Sequence, residues 1–321
     1  MMEYEEYEAS RGVSPSAGFF ILLGLVGAGL VLGGIIGLGI WLGMTHQSIG
    51  SFEKDMLNPQ FTNAARIMQM VSAFFMFFLP AVAAARLMNP SPLRWLGFKN
   101  GFNARQFVLV IAIIIICLPL VGALGELNQA IPLTKSLEAY FKKLENTYQT
   151  QVEALATMRS PGEFVFSLLV MALLPAVFEE TLFRGGMQQM LIKWLKKPVP
   201  AIVITSIIFS VVHFSWYGFL PRFALGMVLG LIYYYSQSIW LSMTAHFINN
   251  AFAISYMYYL YTHGKPVRDA AEDGGGPLWM ALPALLLLVL LLRMFQKISQ
   301  QRNISKIPPM DGPSLASTNM A

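Results

Sequence analysis

Met171-Ala-Leu-Leu-Pro-Ala-Val-Phe-Glu-Glu-Thr-Leu-Phe-Arg184 is the stretch on which the reading of this chain turns. Its apolar residues are those of a membrane helix, yet two adjacent carboxylates, Glu179 and Glu180, stand in the middle of it. Every other carboxylate lies in a tail, in a loop or at the edge of an apolar segment. An ionisable group at membrane depth costs about 2.5–3.5 kcal/mol on insertion scales. A structure that carries such a cost gives the group a partner or a task. Pro175, four residues before Glu179, is expected to bend the helix and release the carbonyl of Met171.

Working outward, the composition agrees. The chain has 321 residues, 55% hydrophobic and only 12% charged, whereas a soluble domain carries about 25% charged residues. An all-α, polytopic membrane helix bundle is expected, with about eight transmembrane helices and one amphipathic helix outside the membrane. The spans are read at 18–44, 64–88, 106–124, 164–191, 201–217, 219–235, 239–261 and 277–295. The first is rich in glycine, which lets helix backbones approach closely where lipid gives apolar burial no drive.

Residues 1–16 form a polar tail carrying Glu3, Glu5, Glu6, Glu8 and Arg11, without the basic start of a signal peptide. The long polar stretch 125–163 places Leu137, Tyr140, Phe141, Leu144, Tyr148, Val152 and Leu155 at helical spacing among Lys and Glu. This is an amphipathic helix, either a lid over a substrate opening or a surface-packed connector. A loop with Lys265, Arg268 and Gly274-Gly275-Gly276 precedes the last span, and the basic, Pro- and Ser-containing tail after it is expected to be disordered. The chain thus divides into 1–163, a helical core at 164–261, and 262–321.

Lys and Arg outnumber those opposite on the side that holds the termini. This places both termini in the cytoplasm and the protein in the inner (plasma) membrane. The net charge of +5 suits lipid headgroups, and nothing in it points to nucleic acid. The single cysteine, Cys117, lies in an apolar run, so an intrachain disulfide is excluded and a metal–thiolate site is not expected.

Three polar constellations interrupt the later helices. In Glu179-Glu180-x-x-x-Arg184 the second glutamate and the arginine share a helix face and can pair. Glu179, about 100° round the helix, points elsewhere. The others are Phe209-x-x-x-His213, an imidazole on an apolar helix, and His246-x-x-x-Asn250, whose side chains face one way. Singly, each can be explained by helix packing. Together they supply a general base, an orienting imidazole and donors for an oxyanion.

Other intramembrane hydrolase chemistries lack their residues. There is no His-Glu-x-x-His, no Asp in any span, and the only Gly-x-Ser triplets, at 12–14 and 312–314, lie in the tails. A glutamate-dependent or Glu/His metal-dependent hydrolase remains.

The three motifs, in this order on successive hydrophobic helices, resemble the CPBP family of CAAX prenyl proteases and bacteriocin-processing (Abi) proteins. The resemblance covers roughly residues 164–261. It implies an intramembrane endopeptidase similar to the type II CAAX prenyl protease, acting on a membrane-associated or lipid-modified peptide. On that resemblance Glu179 activates water, His213 helps to hold it, and His246 and Asn250 stabilise the oxyanion. Glu180, Arg184 and Phe209 support them from behind. No cofactor is expected. The alternative is zinc held by Glu179, His213 and His246 with an open position for water. The partners implied are membrane lipids and a peptide or protein substrate. A non-catalytic immunity or scaffold protein, and a transporter using the carboxylate as a proton relay, are the competing functions.

Overall fold

A computed structural model describes residues 12–98, 101–267 and 278–304, with side chains of the last helix described to Arg302. The expected acidic start, Arg268 with the triple glycine, and the end of the basic tail lie outside the described residues. Helices account for nearly all of the rest, and no strand occurs among the described residues.

Among the described residues, nine principal helices follow one another: α1 Pro15–Thr45, α2 Pro59–Met88, α3 Ala104–Gln129, α4 Lys135–Leu155, α5 Pro161–Leu195, α6 Pro198–Val211, α7 Phe219–Ser236, α8 Ile239–Thr262 and α9 Ala281–Ile304. All except α4 form the bundle. α1 packs along α2, α6 along α7, and α9 along α3, while α8 is enclosed by α3, α5 and α7. Leu30, Val31 and Ile35 on α1 and Leu282, Leu286 and Leu290 on α9 are exposed. Such continuous apolar faces require lipid as their solvent.

Among the described residues, six helices are long and apolar enough to cross a membrane. The expected fifth and seventh spans are not among them. α6 has 14 residues, about 21 Å at 1.5 Å per residue, against a hydrocarbon core of about 30 Å. α8 has 24 residues, but Thr244, His246, Asn249, Asn250 and its tyrosines hold its hydropathy down. The fifth span was also expected to continue to residue 217. It stops at Val211 because Phe214 takes a left-handed backbone with φ of 51°, and His213 N–H turns back to the Ser210 carbonyl at 3.3 Å. His213 therefore stands in the loop just past the helix, rather than on its apolar face.

The glycines of α1 divide into two groups. Gly29, Gly33 and Gly37 lie against α2, where the Gly33 carbonyl accepts from Ser72 Oγ at 3.0 Å. A Cβ on Gly29 would collide with the carbonyl oxygen of Phe75. Gly24, Gly27, Gly34, Gly39 and Gly43 have nothing within 4 Å of an added Cβ. Gly29→Leu is therefore expected to destabilise the protein by about 1–3 kcal/mol through overpacking, read as a lower Tm in detergent. Gly34→Leu should leave Tm unchanged.

The amphipathic helix forms as expected, capped by Thr134, and both ends of its role are visible. Arg66 of α2, fully buried, donates to the carbonyls of Leu155 (3.0 and 2.7 Å) and Thr157 (2.8 Å). A cation at a helix C-terminus answers the unpaired carbonyls there. Along its length α4 lies over the loop 212–218: Phe141 stacks on Trp216 at 4.9 Å, Ser215 Oγ donates to Glu145 at 2.7 Å, and Arg222 donates to Tyr148 OH at 3.1 Å.

Candidate active site

The opening stretch lies in α5, whose winding changes twice. Leu168–Leu173 and Thr181–Gln188 are π-helical, on either side of a short α-helical turn holding both glutamates. Pro175 sits at the start of that turn. The expected bend is thus absorbed as a π-turn immediately before the proline, and wide turns of this kind concentrate at functional sites.

Glu180 is fully buried. Its Oε1 accepts from Arg184 Nη1 at 2.6 Å, the i,i+4 pair expected from the spacing. The same oxygen accepts from His246 Nδ1 at 2.9 Å, across from α8. Sequence reasoning assigned Glu180 to Arg184 alone. Its second role, fixing the imidazole, needed the packing of α8 on α5 to become visible. Arg184 is itself anchored by donating to the Gly226 carbonyl of α7 at 3.2 Å, and Gln188 does the same one turn on, to Gly230 at 3.0 Å. A Cβ at Gly226 would stand 3.0 Å from the Ser206 side chain. Gly226-x-x-x-Gly230 is therefore a close-approach motif that lets α7 close on Ser206 and Ile202 of α6, with Gly230 also meeting Gln188 of α5, and its spacing was the overlooked sequence signal.

Glu179 is held differently. Its Oε2 is buried and no donor among the described residues hydrogen-bonds it. It faces His246 Nε2 at 4.0 Å, too long for a direct hydrogen bond but close enough for one water to touch both. His246 thus stands between the two glutamates, bonded to one and facing the other. Because a carboxylate only accepts, Nδ1 of His246 carries the proton toward Glu180.

His213 Nδ1 lies 2.7 Å from the Phe209 carbonyl, which fixes the tautomer with Nε2 as the acceptor. Phe209 forms the wall joining the set. It is buried and its ring packs edge-on to His213 (5.0 Å), His246 (5.8 Å) and Phe183 (5.2 Å). The Arg184 guanidinium lies 4.7 Å over it. Asn250 lies one turn beyond His246 on α8 and accepts from Asn249 Nδ2 at 3.3 Å. No hydrogen bond ties it to either glutamate or to either imidazole.

Among the described residues no three His, Cys, Asp or Glu side chains are grouped to hold a metal ion. His246 gives one ring nitrogen to Glu180 and His213 one to a backbone carbonyl, which leaves Nε2 of each imidazole for water or a ligand.

With this geometry in hand, comparison with known proteins adds a family. Residues 161–252 match the model of the type II CAAX prenyl endopeptidase Rce1-like family. "Uncharacterized protein YpbD" of Bacillus subtilis (strain 168) is 34% identical over 88 residues, 26% of this chain and 42% of that one. The chain therefore spans about two-fifths of that relative's length. No solved structure matches. The matched segment contains all three motifs, so the resemblance to the CPBP proteins stands where it was read. Over residues 161–252 this membrane protein is similar to the Rce1-like type II CAAX prenyl endopeptidases.

Proposed function

We propose that the protein is an intramembrane endopeptidase that hydrolyses a peptide bond in a membrane-associated or lipid-modified peptide, using water activated by Glu179. One observation carries this reading: Glu179, its side chain 13% exposed, has a buried Oε2 without a hydrogen-bond donor among the described residues, beside an imidazole that Glu180 holds in place. Glu180 accepts from both Arg184 and His246 through Oε1, its own Oε2 likewise lacking a donor. A carboxylate without such partners is suited to receive a proton.

In this scheme water sits between Glu179 and Nε2 of His213 and His246. Glu179 takes its proton as the oxygen bonds to the scissile carbonyl carbon. The oxyanion is met by the Asn250 amide and by protonated Nε2 of His246, whose positive charge Glu180 balances. The tetrahedral intermediate then collapses, the C–N bond breaks, and Glu179 returns its proton to the departing amine. Phe209 keeps solvent from the rear of both imidazoles. The protein works in the inner membrane, with both termini in the cytoplasm.

The direct test is to incubate purified protein in detergent with a prenylated peptide ending in a CAAX sequence and to identify the products by mass spectrometry. A single internal cut is expected. Comparing the membrane peptides of cells carrying wild type or Glu179→Ala then identifies natural substrates. An immunity or scaffold role predicts no cut, and full biological function in Glu179→Gln. The reading also takes the chemistry to need no metal. Extensive chelation should leave the cleavage rate within about twofold, since no step here relies on a Lewis acid. A loss reversed by added Zn²⁺ would assign the water to a metal.

A further inference from the structure

One cation beside the site has no part in this scheme. Arg222 occupies the first turn of α7, one turn before the Gly226 whose carbonyl receives Arg184. Its Nη2 donates to Tyr148 OH at 3.1 Å and its guanidinium lies 5.2 Å over the Tyr148 ring. Nη1, by contrast, is buried without a hydrogen-bond partner. Room for it is made by Gly218, where a Cβ would collide with Nη1. Arg222 sits beside the loop that carries His213, its backbone N–H donating to the Gly218 carbonyl at 3.1 Å, while Glu180 is already committed to Arg184 and His246.

A buried guanidinium N–H left open costs free energy unless something arrives to accept it. The acceptor that matches an Arg fork best is a carboxylate. We infer that Arg222 binds the C-terminal carboxylate of the peptide substrate and so sets the position of the cut relative to the chain end. An extended peptide advances about 3.3–3.6 Å per residue, so an anchor one helical turn from the Gly226 carbonyl, which holds Arg184 beside Glu180, places the scissile bond only a few residues from the terminus. Tyr148 holds the planar guanidinium flat from the α4 side, and Gly218, lacking a side chain, lets Nη1 lie against its backbone. Arg222 is in this view a specificity residue rather than part of the hydrolytic machinery. The inference rests on the peptidase reading.

The experiment uses one farnesylated CAAX-ended peptide made in two forms, with a free C-terminal acid and with a C-terminal amide. Wild type should turn over the acid with a KM about thirtyfold below that of the amide, as for a buried charge pair. Arg222→Gln should raise KM for the acid to the amide's value while leaving the amide within twofold and kcat little changed. Arg222→Lys should restore part of the discrimination. Equal handling of both peptides by wild type would overturn the inference. So would an Arg222→Gln defect shared equally by both peptides, which would assign the cation to the oxyanion. Tyr148→Phe reproducing Arg222→Gln would make the arginine a clamp on α4, and would overturn it too. Fluorescence-anisotropy binding of the two peptides needs no turnover and separates the two readings. Acid-selective binding that Arg222→Gln abolishes, without cleavage, sinks the peptidase reading alone. Binding indifferent to the end group sinks this one.

Discussion

Glu179→Gln should lower kcat for peptide cleavage by about 10²–10⁴-fold, the usual span for loss of a general acid–base group. It should leave KM, yield and Tm close to those of wild type. The reason lies in the contrast between neighbours. No donor hydrogen-bonds Glu179 Oε2, so converting it to an amide of the same shape breaks no hydrogen bond at that atom. What is removed is the ability to take a proton from water. If the variant cut the peptide at the wild-type rate, Glu179 would be excluded as the base. If it misfolded, the carboxylate would have a structural partner that the geometry does not contain.

The second large effect concerns stability. Arg184→Met should destabilise the protein by about 3–5 kcal/mol, because it leaves Glu180 as an uncompensated buried charge. Both side chains of this pair are fully buried, with N···O of 2.6 Å. Adding Glu180→Gln to Arg184→Met should recover most of the lost Tm, since replacing both partners of a buried pair is often close to neutral. Activity should not return with it. Glu180 also accepts from His246 Nδ1, and an amide there no longer balances a protonated imidazole. A double variant that regained both stability and cleavage would reduce Glu180 to a structural residue. Thermal denaturation and single-turnover cleavage on the same four proteins complete the cycle.

Much of this arrangement was legible in the chain because membrane depth penalises charge. Glu179, Glu180 and Arg184 stood out against an apolar background, and the i,i+4 spacing of Glu180 and Arg184 gave their pairing correctly. The all-helical bundle and the amphipathic helix followed from the same contrast of polarity and period. Three features did not follow, for identifiable reasons. The end of α6 at Val211 depends on a left-handed Phe214, a conformation that an aromatic residue gives no sequence reason to expect. The bond from His246 to Glu180 joins residues 66 apart and depends on how α8 rotates about its axis. The acceptors for Arg184 and Gln188 are backbone carbonyls on α7, and a carbonyl has no side-chain signature. Only Gly226 and Gly230, the small residues that let α7 close on α6, leave a trace.

The polarity of α8 bears on how the protein is made. The residues that equip this helix for the site, His246, Asn249 and Asn250 among them, also keep it out of the set of helices apolar enough by composition to cross a membrane. Only Gln237 and Ser238 separate it from α7, whose Leu229 and Ile232 share one buried cluster with its Leu241 and Ala245. α7 and α8 thus form a helical hairpin, and α8 is expected to insert together with its predecessor. A chain released after Ser236 would contain both glutamates in a membrane-inserted form and yet have no imidazole for Glu180 to hold, so the active site is completed only at the second leg of that hairpin.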